Sequence, residues 1–403
     1  MSVSRTLRGS WLGRVATSMV CLGAVVMGSG AVAGDARAVP APDLAVETVT
    51  GGLRIPWEVV AAPDGTILTN ERSGRFVAVA PDDRAHTVRA DLSTLFVTGE
   101  AGLMGMALDP GFATNRRLYT CQSEVTAPTG RITAPPSLIR SPLPWPNTGQ
   151  VNSVVAWRVA PDWSALTRER TVLSGIPLTM AGREAGCGVT AAPDGTLWIG
   201  TGDTGLPTIS QDRSSLGGKV LHINADGSPA AGNPDAASPI FTLGHRNVQN
   251  IALGPAGRVY SIEQGTHVDD ELNLLTAGGN YGFRPDKRIP LNDEDAVMTD
   301  PRVPGAIGPV WKSGAPTVAP PAITFLPDSG WGQWNGALVI SALKGKRLIL
   351  VQLSDDGRRV VRTADALDGE YGRLRGTTIA ADGSLLLLTN NGTDDKILRV
   401  RPS

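Results

Sequence analysis

Between Leu243 and Phe283 the chain sets Gly244-His245-Arg246-Asn247, Glu263-Gln264-Gly265-Thr266, Asp269-Asp270-Glu271-Leu272-Asn273 and Gly278-Gly279-Asn280-Tyr281-Gly282. Carboxylates, and backbone carbonyls laid open by glycine, are the hard oxygen ligands that suit Ca²⁺. The spacing is not that of an EF-hand, and an acidic loop is also what a solvated turn looks like. A second theme is cationic. Arg246, Lys344, Arg373 and Arg375 stand near hairpins, the last two as Gly-Arg-Leu-Arg. Residues two apart on a strand face the same side, so these cations, if turned inward together, make a pocket for a multiply charged anion. Each one alone reads as a surface cation. No Ser/His/Asp order, Cys-x-x-Cys pair or P-loop competes with these themes.

The elements that must position these residues are short strands. VVAAPDGTILT (59–69), VTAAPDGTLWIG (189–200), IALGPAGRVYS (251–261) and TIAADGSLLLLT (378–389) share one grammar, β formers on both sides of a Gly-containing turn. Looser copies lie at 104–120 and 334–342. The turn glycines Gly65, Gly111, Gly195, Gly257, Gly336 and Gly383 recur about every 64 residues, a period of repeated four-stranded units rather than of a helical solenoid. Radial packing buries both faces of such units. The expected fold is all-β, a six-bladed β-propeller over residues 39–403 as one domain. Thr126–Gln150 and Arg284–Gly308 read as long loops between strands.

Composition agrees. The 403 residues include 48 Gly and 30 Pro, an excess that favours many turns. A formal charge of -1 removes the basic footprint of a nucleic-acid binder. Arg5, Arg8 and Arg14 precede an apolar, small-residue stretch to Ala33, followed by Ala31-Val32-Ala33 and Ala36-Arg37-Ala38. Residues 1–38 therefore read as a secretory signal peptide, with an uncleaved anchor as the rival. Its removal leaves a periplasmic or secreted protein of formal charge -4, with no stable membrane insertion expected. Two cysteines would remain, Cys121 and Cys187, free to pair if the fold brings their Cα atoms within ~7 Å.

IPWEVV, ERSG, GLMGMALDPGF, PDGTLWIGTGD, LGGKVLHI, LGHRNVQNIAL, EQGTHVDDELN, GGNYGF and GRLRGTTIAADG occur in one order from Leu53 to Arg401. That series resembles the soluble glucose/sorbosone dehydrogenases, which use pyrroloquinoline quinone (PQQ). The resemblance implies a six-bladed propeller with PQQ and Ca²⁺ on one end, oxidising an aldose-type sugar and passing electrons to an external acceptor. It implies that Arg246 and Asn247 contact the quinone and that Gln264 lines the site. Asp270 would also serve the cofactor, and Lys344, Arg373 and Arg375 would hold its carboxylates. Carbonyls of Gly265 and Thr266 would bind the catalytic Ca²⁺. Glu271 and Tyr281 match the surroundings of a structural one.

One departure bears on catalysis. The family's base is a histidine shortly before the strand leading to PDG. Here Glu184 holds that position, with Arg183 before it and Asp203 matching the carboxylate that orients the base. Glutamate is ordinarily a weaker base than imidazole. Glu100 stands where the family often carries Gln. His267 lies in the Ca²⁺ loop, while His245, His222 and His86 read as structural, packed or exposed. The reading is a sugar dehydrogenase with Glu184, Asp203 and Arg246 as catalytic residues. Its rival is a degenerate propeller that binds PQQ, calcium or sugar without turnover.

Overall fold

A computed structural model describes residues 37–126, 149–206, 208–285 and 296–403. The chain divides into Met1–Gly34, outside the described residues, and Asp35–Ser403. The signal-peptide reading thus falls almost wholly outside them; its last two residues, Arg37–Ala38, pair in parallel with Val360–Ala366. Most of the expected loop at 126–150, and part of that at 284–308, also lies outside.

The described residues are almost entirely strand and turn, in five sheets. Gly186–Ala191, Leu197–Thr201, Lys219–Ile223 and Ile240–Leu243 form a four-stranded meander, as do Val248–Leu253, Val259–Glu263, Glu271–Leu274 and Trp311–Lys312. Ile323–Phe325 leads a third through Val360–Ala366. The eight-stranded sheet is two meanders, led by Pro56–Ala61 and by Leu103–Leu108, joined where Ala165–Pro177 pairs in parallel with Ala85–Ala90. In the last sheet Leu44–Leu53 completes the strands from Leu374–Ile379 to Asp395–Pro402, so both ends of this unit meet in one sheet.

The hairpins form for local reasons. In PDGT at 63–66, Asp64 Oδ1 accepts the Thr66 N–H at 3.0 Å and Gly65 takes φ +85°. Asp194 and Asp382 repeat the bond to Thr196 and Ser384 at 2.9 and 3.0 Å. Such Asx turns close two-stranded hairpins without help from elsewhere. The looser copy at 104–120 differs: its turn holds a one-turn helix, Phe112–Asn115, with Asp109 accepting the Gly111 N–H.

Alternation then buries both faces. Leu197 and Ile199 pack with Tyr119, Cys121 and Val154 of the preceding sheet. Trp198, between them, packs with Val248, Ile251 and Val259 of the next. The run Leu385–Leu388 splits likewise, its odd members with Leu350 and its even members with Val59 and Val77. Facing sheets are also stapled. Cys121 and Cys187 form a disulfide with Cα atoms 5.3 Å apart, closing a span of 66 residues. The Cys121→Ser/Cys187→Ser variant is expected to lose about 2–4 kcal/mol. Urea unfolding of oxidised wild type against the variant measures this; equal midpoints would refute it.

Six leading strands surround a cavity of about 420 Å³, lined by Glu58, Thr190, Asn250, Thr324 and Thr377 among others. Glu58 is buried there, and burial pushes its carboxyl up to about 8, against a smaller lowering by Arg375. A raised folded-state pKa means the native protein holds this proton more tightly than the unfolded chain does. Its stabilising contribution is complete below the unfolded value of 4.5 and is lost as pH rises through about 8. Between about pH 5 and about pH 9 the wild type is expected to lose a few kcal/mol from this group, and Glu58→Gln to flatten that slope. Denaturation at both pH values checks it; parallel slopes would count against it.

Candidate functional site

The residues singled out by type cluster at one end of the leading strands. Trp57, Arg246, Asn247, Arg373 and Arg375 sit at or just before strands Pro56–Ala61, Val248–Leu253 and Leu374–Ile379, and Glu184 precedes Gly186–Ala191. Five leading strands carry a register shift there, at Pro56/Val59, Leu103/Met106, Gly186/Gly188, Val248/Asn250 and Leu374/Thr377. A bulge re-aims the side chains beside it, and here it does so at the same end of each strand.

That end holds a cavity of about 290 Å³ lined by Trp57, Arg72, Glu100, Gln249, Gln264, Arg373, Arg375 and Asn390. Three guanidinium groups therefore share it with one carboxylate. Arg375 is 5% exposed, its Cζ lies 3.3 Å from the centre of the Trp57 ring, and its Nε has no hydrogen-bond partner. Burial pushes its pKa down to about 9, opposed by the charges of Glu100 and Glu58. Arg72 is half-buried, also has an unpartnered Nε, and is lowered by burial. Arg373 is exposed, its main chain held by Asn391 Oδ1.

Beside the cavity lies a tight polar knot. Arg246, 3% exposed, donates from Nη2 to Glu184 Oε1 at 2.9 Å and from Nη1 to the Gly265 carbonyl at 2.7 Å and the Gln264 carbonyl at 3.1 Å. Asn247 Nδ2 donates to Glu184 Oε2 at 2.7 Å, and its Oδ1 accepts from the Gly186 N–H and Gln249 Nε2. Both carboxylate oxygens of Glu184 are thus hydrogen-bonded. Glu184 is not among the cavity's lining residues. Its carbonyl approaches Gly202 so closely that a Cβ there would lie 1.8 Å away, which explains the glycine in Gly-Thr-Gly-Asp. Asp203 is buried beside it; its N–H donates to the Arg246 carbonyl at 2.7 Å and its Oδ1 accepts the Gly205 N–H at 2.9 Å.

Other expected site residues are placed around this knot. Asp270 Oδ1 accepts the Gly265 N–H at 3.0 Å, and its Oδ2 accepts those of Val318 and Ala319. Burial raises its pKa against these bonds. It ties two loops at the rim, with Ala319 on the cavity wall. Lys344 is exposed, its Nζ 3.2 Å from Thr317 Oγ1; its neighbour Leu343 reaches the wall, and Lys344 itself does not. His267 is exposed and off the lining. His245 is buried between Thr242 Oγ1 and Glu263 Oε1 and stacks on Tyr281. His222 stacks on Trp198.

For calcium the geometry divides. The Gly265 carbonyl already takes a guanidinium N–H at 2.7 Å, a poor partner for a dication at the same oxygen, and Thr266 Oγ1 donates to the Ala296 carbonyl. Glu271 accepts from Thr299 Oγ1 at 3.0 Å and from Asn273 Nδ2 at 3.4 Å. It pairs across the strands with Glu263, as Asn273 pairs with Ser261, and Asn273 Oδ1 and Ser261 Oγ are buried without partners. The Tyr281 hydroxyl donates instead to the Leu274 carbonyl at 2.6 Å. Among the described residues no three His, Cys, Asp or Glu side chains converge as a metal site.

Sequence reasoning did not assign Arg72, Trp57, Gln249 or Asn390 to the site. Arg72 and Trp57 lay inside quoted motifs, but nothing local marks an arginine after a strand as inward-facing.

The glucose/sorbosone dehydrogenase profile matches residues 53–399. An aldose sugar dehydrogenase of Escherichia coli is 26% identical over 375 residues, 89% of this chain and 92% of its own. Quinoprotein glucose dehydrogenase B of Acinetobacter calcoaceticus is 30% identical over 267 residues, covering 59% of this chain and 52% of that one. The PQQ-bound aldose sugar dehydrogenase of Streptomyces coelicolor superposes with a TM-score of 0.71 at 27% identity, covering 90% of this chain and all of the other. Arginines gathered at one end of an all-β scaffold, and a profile running through nearly every described strand, converge on one assignment: this chain belongs to the glucose/sorbosone dehydrogenase family.

Proposed function

We propose that the protein is a PQQ-dependent dehydrogenase of aldose-type sugars, built on a six-bladed propeller, exported to an oxidising compartment and passing electrons to an external acceptor. The observation that carries this is the cavity in which Arg72, Arg373 and Arg375 face a single carboxylate, two of them with an unpartnered Nε. An excess of guanidinium around one cavity, with Arg375 buried in it, suits an anion with several carboxylates. The six leading strands around one cavity support the propeller, and the disulfide supports export. No described helix is long and apolar enough to cross a membrane.

When bound, PQQ supplies a quinone that takes a hydride from the sugar's anomeric carbon. Arg72, Arg373 and Arg375 would hold its carboxylates, Trp57 and Gln264 would wall it, and Lys344 would add charge at the rim. Arg246, held by Glu184 and the Gly265 carbonyl, lies off the cavity lining and would act on the site through Gln264, whose carbonyl it also holds. Asn247 and Asp203 hold Glu184 and Arg246 in register, and Asp270 holds the Gly265–Thr266 turn. A carboxylate, in place of imidazole, takes the hydroxyl proton. Calcium belongs to this reading through Glu271, Glu263 and Asn273 near Tyr281. No step is assigned to a cation at Gly265 or Thr266.

The test is optical titration of the mature protein with PQQ, with and without Ca²⁺, followed by dye reduction with a panel of aldoses. Saturable binding with turnover is expected. Absence of binding would overturn the reading. Binding without turnover would favour a degenerate binder, which the double restraint on Glu184 makes the specific rival.

A further inference from the structure

We infer that the proton acceptor of this enzyme is Glu100, and that Glu184, at the position of the family's base, is a positioning residue. The inference rests on the function proposed above and assigns a role within that site. Glu100 lines the 290 Å³ cavity with the arginines, and Glu184 does not. The oxygens of Glu184 are held at 2.9 Å by Arg246 and at 2.7 Å by Asn247, with Arg183 Nη2 at 3.7 Å. Protonating it would break a buried charge pair and leave the Arg246 charge uncompensated, a costly change for two groups only 6% and 3% exposed. Among the described residues the Glu100 side chain makes two hydrogen bonds, both 3.4 Å and both through Oε2, from the Ala185 N–H and from Asn247 Nδ2. Its Oε1 is left to accept from a hydroxyl.

The main chain of Glu100 is held firmly. Its N–H donates to the Gly182 carbonyl at 2.9 Å. Gly99, at φ +52°, lies against the Ala181 carbonyl, and Gly182, at φ +60°, lies against that of Thr98. Any Cβ at either glycine would come within 2.3 Å of those oxygens. The loops carrying the two glutamates are therefore locked together, with Asn247 Nδ2 bonded to both. The charges around Glu100 are Arg72, Arg373 and Arg375 on the cavity wall, and Glu184, Arg246 and Arg183 behind Asn247.

The anomeric O–H bond breaks and its proton passes to Glu100. The anomeric C–H leaves with its electron pair as hydride to a quinone-class oxidant, and the carbon–oxygen bond becomes the carbonyl of a lactone.

The experiment begins with PQQ titration of the wild type, so that failure of cofactor binding is seen first and counts against the proposed function. Glu100→Gln is then expected to bind PQQ within about threefold of wild type and to lose at least about 100-fold in turnover. Added formate should restore part of the activity of Glu100→Ala and none of Glu184→Ala. Independently of turnover, carbodiimide with glycine ethyl ester, mapped by peptide mass spectrometry, should label Glu100 in the cofactor-free protein, spare Glu184, and spare Glu100 once PQQ is bound. Wild-type turnover in Glu100→Gln, formate rescue confined to Glu184→Ala, rescue of neither, or a Glu100 that PQQ does not protect would each overturn the assignment. Should the wild type bind PQQ but oxidise no aldose, the proposed function fails, and the labelling decides by itself whether Glu100 is the cofactor-facing carboxylate.

Discussion

Arg375→Ala is expected to weaken PQQ binding at least about 100-fold, the largest effect of any single change at the cavity. The side chain is almost wholly buried, its Cζ over the Trp57 ring, with an unpartnered Nε. Its desolvation is already spent in the cofactor-free protein; burial pushes its pKa down to about 9. An incoming carboxylate therefore meets a preorganised planar donor whose alternative is to remain unpaired. Truncating one partner of such a pair costs roughly 2–5 kcal/mol of binding. Arg375→Lys should fall between, since it keeps a charge and loses the planar guanidinium. The loss should be specific to the anion, with the melting temperature lowered far less than removal of a core leucine would lower it. Optical titration with PQQ decides this; affinity within threefold of wild type in Arg375→Ala would remove the cavity from cofactor binding.

Arg246→Ala is expected to act on both stability and catalysis. Without the guanidinium, Glu184 Oε1 loses its close donor in a buried setting, and the Gly265 and Gln264 carbonyls lose theirs. Breaking a buried pair from one side typically costs about 3–5 kcal/mol. Turnover should fall as well, because Gln264 of the cavity wall loses the donor that positions its carbonyl. The two effects separate in the double variant. Arg246→Ala/Glu184→Gln should recover much of the stability, because no unpaired carboxylate is left, and little of the activity. Urea unfolding gives the coupling and dye reduction gives the turnover. Additive stability losses would show that the pair seen at 2.9 Å contributes nothing.

The strands and turns were legible because their causes are local. Asp64, Asp194 and Asp382 close their turns with a bond two residues away. The alternation in Leu197-Trp198-Ile199 assigns faces without knowledge of the neighbours. The cation theme was legible too, since Arg373 and Arg375 share one side of a strand and do line one cavity. Lys344 was read as their equal from the same pattern, yet it is exposed and bonded to Thr317, and its neighbour Leu343 is the one on the wall.

By itself, then, the sequence determined an all-β chain of repeated hairpins, its family likeness, and the residue types at its site, all matters of spacing along one strand or turn. The disulfide and the division of labour between carboxylates were decided only by tertiary structure. Cys121 and Cys187 are 66 residues apart, and closure of facing sheets brings them together. Trp57, Arg72, Glu100 and Arg375 meet because strands and loops from distant parts of the chain end at one cavity, with register shifts in the two strands that carry Trp57 and Arg375. Whether a glutamate is tied up or available depends on which donors reach it first. For Glu184 those donors, Arg246 and Asn247, lie more than sixty residues away, where no local pattern along the chain can place them.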